Sequence, residues 1–259
     1  MDESLFEFHS RMERQHWWFT ARAEIVRGLA TQLFEHEAMV VDVGCGTGGI
    51  LAVLPASWTR VGVDPSPAAI AVARRLNPEI DFRLGEAPSA VARELPQADL
   101  LMLCDVLEHV EEDRGLLSSL VDGLTPSARV LITVPGHMSL WSRHDETHGH
   151  YRRYERADLS RFWEGLSLSP VLVSPLNWRL YPLVRALRVA GRGRGRGVGA
   201  HETDLFLPPR PLNRLLKRLF ASEERPLVRA LQSSGSVPSR SGVSWLVILE
   251  KLAIGRGNA

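Results

Sequence analysis

Val40-Val41-Asp42-Val43-Gly44-Cys45-Gly46-Thr47-Gly48 is the stretch whose reading decides the fold. A β-branched apolar run stopped by glycine has the character of a strand buried on both faces, as in a parallel sheet. Glycines at alternate positions let the backbone take positive φ and come close to a ligand. A helix expected from Thr47 to Leu54 would aim unpaired N–H groups and its positive dipole end at that place. The order Asp-x-Gly-x-Gly-x-Gly does not meet the Gly-x-Gly-x-x-Gly fingerprint that binds a dinucleotide pyrophosphate.

Working outward, Val61–Asp64 reads as a second strand, and Pro65-Ser66-Pro67 opens a helix running to Leu76, with proline tolerated in its first turn. Further strands are expected over Ile80–Leu84, Asp99–Cys104, Arg129–Val134, Leu168–Val173 and Val243–Leu249, with helices over Glu112–Leu124 and from about Glu155 to Trp163. This alternation predicts an α/β fold: a Rossmann-like, doubly wound, mostly parallel seven-stranded sheet with a helical insertion before the last strand. The chain of 259 residues is then divided into a main domain, 1–177 with 241–259, and an insertion, 178–240. Net charge is +1, yet acidic groups dominate residues 1–177 and basic groups dominate 178–229. Cys45 and Cys104 are too few for a disulfide framework, so a reducing cytoplasm is the expected location. No signal peptide or membrane-spanning run is read in the sequence.

A carboxylate at the end of the second strand, Asp64, can accept both hydroxyls of a ribose. With that residue the chain resembles a class I S-adenosylmethionine-dependent methyltransferase over nearly its whole length. Asp42–Gly48 is similar to the family's first motif, whose backbone meets the methionine moiety, so the resemblance implies contacts from Asp42, Gly44, Cys45, Gly46 and Gly48. It places Asp64 and Pro65 at the ribose, and Glu86 with Ala87 near the adenine, where the family usually carries aspartate. Cys104-Asp105-Val106-Leu107-Glu108-His109-Val110 resembles the segment after strand four in small-molecule and ubiquinone-pathway methyltransferases, which brings Cys104, Asp105 and Val106 to the cofactor. Glu13–Arg22, with its His16-Trp17-Trp18-Phe19 core, and His144–Tyr154 resemble signatures of one bacterial branch. Trp18, Arg22, Ile25 and Leu29 share one helix face, so Arg22 points inward and needs an anion. The carboxylate of the methionine moiety suits it, which makes Trp18 and Arg22 expected cofactor-binding residues, with Asp42 or Asp105 as the internal alternative for Arg22.

Ligands of open parallel sheets bind beyond the carboxyl ends of the strands. His109 after strand four, and His137, His144, Asp145, His148 and His150 after strand five, therefore surround the expected acceptor position. His144 beside Asp145 is the expected base, with His109 as a further catalytic candidate that could equally pack a helix. No metal is assigned, because Gly149 interrupts the histidine run and no ligand spacing falls on an expected helix. Arg152, Arg153 and Tyr154 either hold an acidic substrate group or pair with acids such as Asp158. Leu180–Val189 and Leu212–Phe220 read as two basic amphipathic helices joined through the glycine-arginine run Gly191–Gly197. They suit a substrate cap over a small or lipid-like acceptor, a peripheral membrane contact, or plain docking on the domain. No nucleic-acid partner is expected: no aromatic residues interleave the Arg-Gly run, and no Asn-Pro-Pro-Tyr-like motif follows strand four. The sequence thus predicts a methyltransferase of open acceptor and oligomeric state, its rival being a non-catalytic cofactor-binding protein of the same fold.

Overall fold

The computed structural model describes residues 3–192, 206–233, 237 and 239–253. Seven strands form one sheet: β1 (Met39–Val43), β2 (Thr59–Asp64), β3 (Asp81–Leu84), β4 (Leu100–Cys104), β5 (Arg129–Pro135), β6 (Leu168–Leu176) and β7 (Ser244–Lys251). Their order is β3-β2-β1-β4-β5-β7-β6. The first five are parallel; β7 runs antiparallel to both β5 and β6. The order reverses between β1 and β4, which sets a crevice at their carboxyl ends.

Apolar residues on both sides of each strand explain why the sheet is covered twice. Along β4, Leu100 and Met102 enter one core and Leu101 and Leu103 the other. The first core takes Ala21, Ile25 and Leu29 of α2 (Trp17–Leu33) and Ile70 and Ala73 of α3 (Pro67–Leu76). On the opposite face lie Leu117 and Leu120 of α4 (Asp113–Asp122), with Tyr154, Phe162 and Trp245. Edge strand β6 carries Pro170 and Pro175, tolerable because only one side of it is paired.

Several elements depart from the sequence reading. The helix expected from Thr47 to Leu54 is a series of turns closed by a single 3₁₀ turn, Leu51–Val53. Gly48, at φ +84°, has a conformation no α-helix contains. The segment expected as helix from Glu155 is 3₁₀ over Arg156–Phe162. An additional N-terminal helix, α1 (Glu3–Gln15), precedes α2, and the polar loop after β5 contains a short helix, α5 (Arg143–Thr147), capped by Ser142.

Within 178–240 the structure shows α6 (Tyr181–Arg192), α7 (Arg210–Ala221) and α8 (Glu224–Ser233), the last not anticipated. Gly191 and Arg192 end α6; the remainder of the Gly191–Gly197 run lies outside the described residues. Phe220, Leu227 and Ala230 are buried in the same core as α2. Asn213 joins the junction of α1 and α2, accepting from the Trp17 amide at 3.0 Å and donating to the Gln15 carbonyl at 2.8 Å. Only one edge of each basic helix docks: Val184 and Phe220 pack on the core, whereas Leu183, Leu187, Leu212 and Leu215 are exposed.

Candidate functional site

The carboxyl ends of β1, β2 and β4 bring together Asp42, the glycine turn, Asp64 and Asp105. Gly44, Gly46 and Gly48 all have positive φ. A Cβ on Gly44 would lie 2.6 Å from Val106 Cγ2, so the turn packs against the segment after β4 without room for a side chain. Asp64 accepts from the amides of Gly46 (3.0 Å) and Ser66 (2.9 Å), which fixes its carboxylate beside the turn. Each oxygen still has a lone pair for a ligand hydroxyl. Pro65 is exposed at that end, and Glu86, after β3, is exposed with Ala87 half-buried behind it.

Arg22 reaches this place from α2, as its helical register requires. It is buried and forms an ion pair with Asp105. Asp105 also accepts from Thr133 Oγ1 at 2.9 Å, and it holds a positive φ of 58°. The internal partner named by the sequence reading is therefore Asp105, while Arg22 Nε is buried without a hydrogen bond. Trp18, one turn earlier, has its ring 5.1 Å from that of Phe220, so it packs on α7. Glu13 of α1 is a site residue the sequence reading did not single out: it accepts from Thr47 Oγ1 and lies over Gly49. Nothing in its local pattern marks it, because the contact depends on how α1 docks.

Electrostatics give this crevice its character. Burial pushes the Asp42 carboxyl up to about 8, against the pull of Arg22 and with the help of Asp64 and Glu13. Burial also raises Glu13 and Asp64, the latter against its two amide hydrogen bonds. Glu13, Asp42 and Asp105 thus share the Arg22 guanidinium, with Asp64 beside Asp42. Such a crevice favours a ligand carrying positive charge, which would allow the buried carboxyls to ionise. Cys45 and Cys104 are free and buried, and burial raises both thiols, Cys104 to about 12, so they act here as small packing groups.

Beyond β5 the groups are arranged differently from the sequence expectation. Asp145 does not orient its neighbour His144. Its fully buried carboxylate takes His150 Nδ1 at 2.9 Å, Arg153 Nε at 2.7 Å and the Ser142 amide at 2.8 Å. Burial opposes ionisation, but the His150 hydrogen bond and the Arg153 charge outweigh it and hold this acid below the usual range. His144 stacks against His148, with ring centroids 4.0 Å apart. Burial and that neighbour push its proton affinity down to about 3, which makes it a weak base at neutral pH. Arg152 pairs with Asp113 (3.2 Å) and Tyr154 donates to Asp113 (2.8 Å), so the acids that answer this motif are Asp113 and Asp145, not Asp158. His137 bonds Glu155 at 2.9 Å. His109 and His150 meet edge to face, with centroids 4.6 Å apart.

The architecture is the class I methyltransferase fold, and residues 41–130 match the family model described as a methyltransferase domain. Over 104 residues the chain is 38% identical to the mitochondrial ubiquinone biosynthesis O-methyltransferase of Schizosaccharomyces pombe, spanning 36% of either protein. It is 33% identical over 104 residues to the trans-aconitate 2-methyltransferase of Methylobacterium nodulans, spanning 39% of this chain and 40% of that one. The match thus takes in well under half the length of these curated relatives. Among solved structures, the plantazolicin methyltransferase BamL, in complex with a desmethyl analogue and SAH, superposes with a TM-score of 0.58 at 16% identity, covering 96% of this chain and 91% of that one. The [4+2]-cyclase SpnF does so with a TM-score of 0.53 at 15% identity, covering 89% and 81%.

Proposed function

We propose that this chain is an S-adenosylmethionine-dependent methyltransferase acting on a small or lipid-like acceptor. The observation that carries the reading is the acid-rich crevice around the glycine turn: Glu13, Asp42, Asp64 and Asp105, with Arg22 buried among them. S-adenosylmethionine is cationic at its sulfonium and its amine, whereas a nicotinamide dinucleotide brings a dianionic pyrophosphate that this crevice repels. The residues present fit the methionine cofactor. The turn Gly44–Gly48 offers backbone to its amino-acid end, Asp64 takes the ribose, and Glu86 with Ala87 borders the adenine. Arg22, held by Asp105 and with its buried Nε unpartnered, would take the carboxylate. When bound, the cofactor supplies an electrophilic methyl group; the chain's work is to align an acceptor behind it.

The helices of 178–240 are the proposed acceptor cap. Their exposed leucines provide apolar surface, and Arg185, Arg214 and Arg218 supply charge for an anionic acceptor. Among the described residues, no helix is long and apolar enough to cross a membrane. Calorimetry tests the assignment: S-adenosylmethionine should bind and NAD should not. Arg22→Lys should weaken the cofactor by about 1–2 kcal/mol, since an ammonium cannot make a planar two-point contact. Methylthioadenosine, which lacks the carboxylate, should hardly notice that change. Tight NAD binding would sink the reading, and equal losses for S-adenosylmethionine and methylthioadenosine would sink the role of Arg22.

A further inference from the structure

The histidines after β5 are not merely a polar loop. The one-turn 3₁₀ segment Leu107–His109, which follows β4 directly, sets Glu108 and His109 side by side. The chain after α5 returns to this turn, where the Tyr151 amide donates to the Glu108 carbonyl at 2.8 Å. That backbone bond delivers His150 to the same place. One ligand atom from each of Glu108, His109 and His150 lies within 4.8 Å of the others. The Glu108 side chain is 1% exposed, and its Oε2 has no hydrogen-bond partner. Leaving a carboxylate oxygen buried and unmatched is costly, so the position calls for a cation.

The surroundings prepare the two imidazoles as ligands. His150 Nδ1 is engaged by the buried Asp145 carboxylate at 2.9 Å, which leaves Nε2 as the atom presented to Glu108 and His109. Asp145 is itself fixed by Arg153 and Ser142, so it cannot swing in as a competing base. The ring of His109 is hydrogen-bonded to the backbone of His148. A histidine whose second nitrogen is held by a carboxylate or a carbonyl is the arrangement that fixes tautomer and ring orientation for a metal. An internal hydrogen-bond network would satisfy Glu108 instead, and here it leaves Oε2 out.

We propose that Glu108, His109 and His150 form a binding site for a divalent first-row transition cation, with open positions that take oxygen ligands. Two imidazoles and one carboxylate on one side of an ion suit zinc, manganese, iron or cobalt rather than calcium or magnesium. Ligand atoms at about 2.1 Å from an ion stand roughly 3–3.5 Å apart, so small rotations of the three side chains close the site. If the methyl-transfer reading above holds, the ion lies beyond β4 on the acceptor side, and oxygens of the acceptor would complete its shell. The site itself does not depend on that reading.

Full-length protein stripped with EDTA and titrated with Co2+ provides the test. One Co2+ per chain with visible d–d absorption is expected, and Zn2+ should displace it and abolish the colour. His109→Ala, at an exposed position that spares the core, and Glu108→Gln should each weaken Co2+ binding by on the order of 100-fold or more. Asp145→Asn should weaken it ~10–100-fold through the orientation of His150, with circular dichroism checking that the fold persists. No stoichiometric Co2+ uptake, or uptake unchanged in both His109→Ala and Glu108→Gln, overturns the site. A parallel titration with S-adenosylmethionine separates the two proposals. Co2+ uptake without cofactor binding removes the methyltransferase reading and leaves the metal site, and the converse removes the metal site alone.

Discussion

Around Gly44–Gly48, most groups facing the crevice come from strand ends: Asp42 is next to last in β1, Asp64 closes β2 and Asp105 follows β4. Around Glu108 and His109 the partners come from elsewhere: His150 follows α5, and the carboxylate that orients it belongs to α5 itself. The first region is written in short spacings, because each ligand position is set by where a strand stops. The second is written in tertiary contacts, among them the Tyr151–Glu108 backbone bond and the Asp145–Arg153 pair. A reader of sequence sees adjacent His144 and Asp145 and joins them; the fold sends them to different partners.

The largest expected effect tests a third region, the helices beyond β6. Phe220 is fully buried against Trp17 and Trp18 and belongs to the core that α2 builds. Phe220→Ala should cost about 3–5 kcal/mol of stability by loss of contact and creation of a cavity, measured by denaturant unfolding. Leu215→Ala, on the exposed edge of the same helix, should change stability by no more than about 0.5 kcal/mol. If α7 serves as acceptor cap, Leu215→Ala should instead reduce methyl transfer. Similar unfolding costs at both positions would mean that the whole helix is core and that no face is left for an acceptor.

Asp64→Ala is the matching change on the donor side. It should weaken S-adenosylmethionine by ~1–3 kcal/mol through lost charge-assisted hydrogen bonds. Because Asp64 also fixes the turn through the Gly46 and Ser66 amides, Asp64→Asn should recover part of the stability and less of the affinity. Cofactor affinity that ignores Asp64→Ala would place the ligand elsewhere on the sheet edge.

The strands were legible because a strand buried on both faces is a short, nearly unbroken apolar run, and β1, β4 and β7 have that pattern. Arg22 was legible as an inward cation because its position on the face of Trp18, Ile25 and Leu29 is fixed by helical geometry. The turns after Gly48 were misread because glycine at positive φ stops a helix that the surrounding residues would otherwise permit. Helix α8 escaped notice, since Glu223 and Pro226 look like a loop until Leu227 and Ala230 are seen to dock on α2. Glu13 was read only as part of a signature, and His109 and His150 only as residues near the acceptor; the Glu13–Thr47 contact and the grouping of Glu108 with both histidines went unread, because each depends on two segments whose relative placement no local spacing encodes.

A last expected effect, read as a slope against pH, separates stability from binding. Glu223 is fully buried between the end of β6 and α8; burial pushes its carboxyl up to about 8, although the amides of Arg179, Asn177 and Trp178 oppose the shift. Asp42 is raised to about 8 as well, again chiefly by burial. In the unfolded chain both titrate near their ordinary values of ~4. Below that pH both states are protonated and the native state loses nothing. As pH rises toward 8 the unfolded carboxyls ionise while the native ones resist, so stability falls across this window and levels off above it. Glu223→Gln should remove its share of that slope, leaving the variant's stability flatter between pH 5 and 8 and its cofactor affinity unchanged. Asp42→Asn should flatten stability in the same direction but also change binding. A cationic ligand next to Asp42 favours the ionised form, so binding near pH 7 should release protons in the native protein and fewer in Asp42→Asn. Calorimetry in two buffers of different ionisation enthalpy measures that release. Proton release equal in the two proteins would detach Asp42 from the ligand, and pH–stability curves that stay parallel for Glu223→Gln and the native chain would show that Glu223 ionises normally in its buried position.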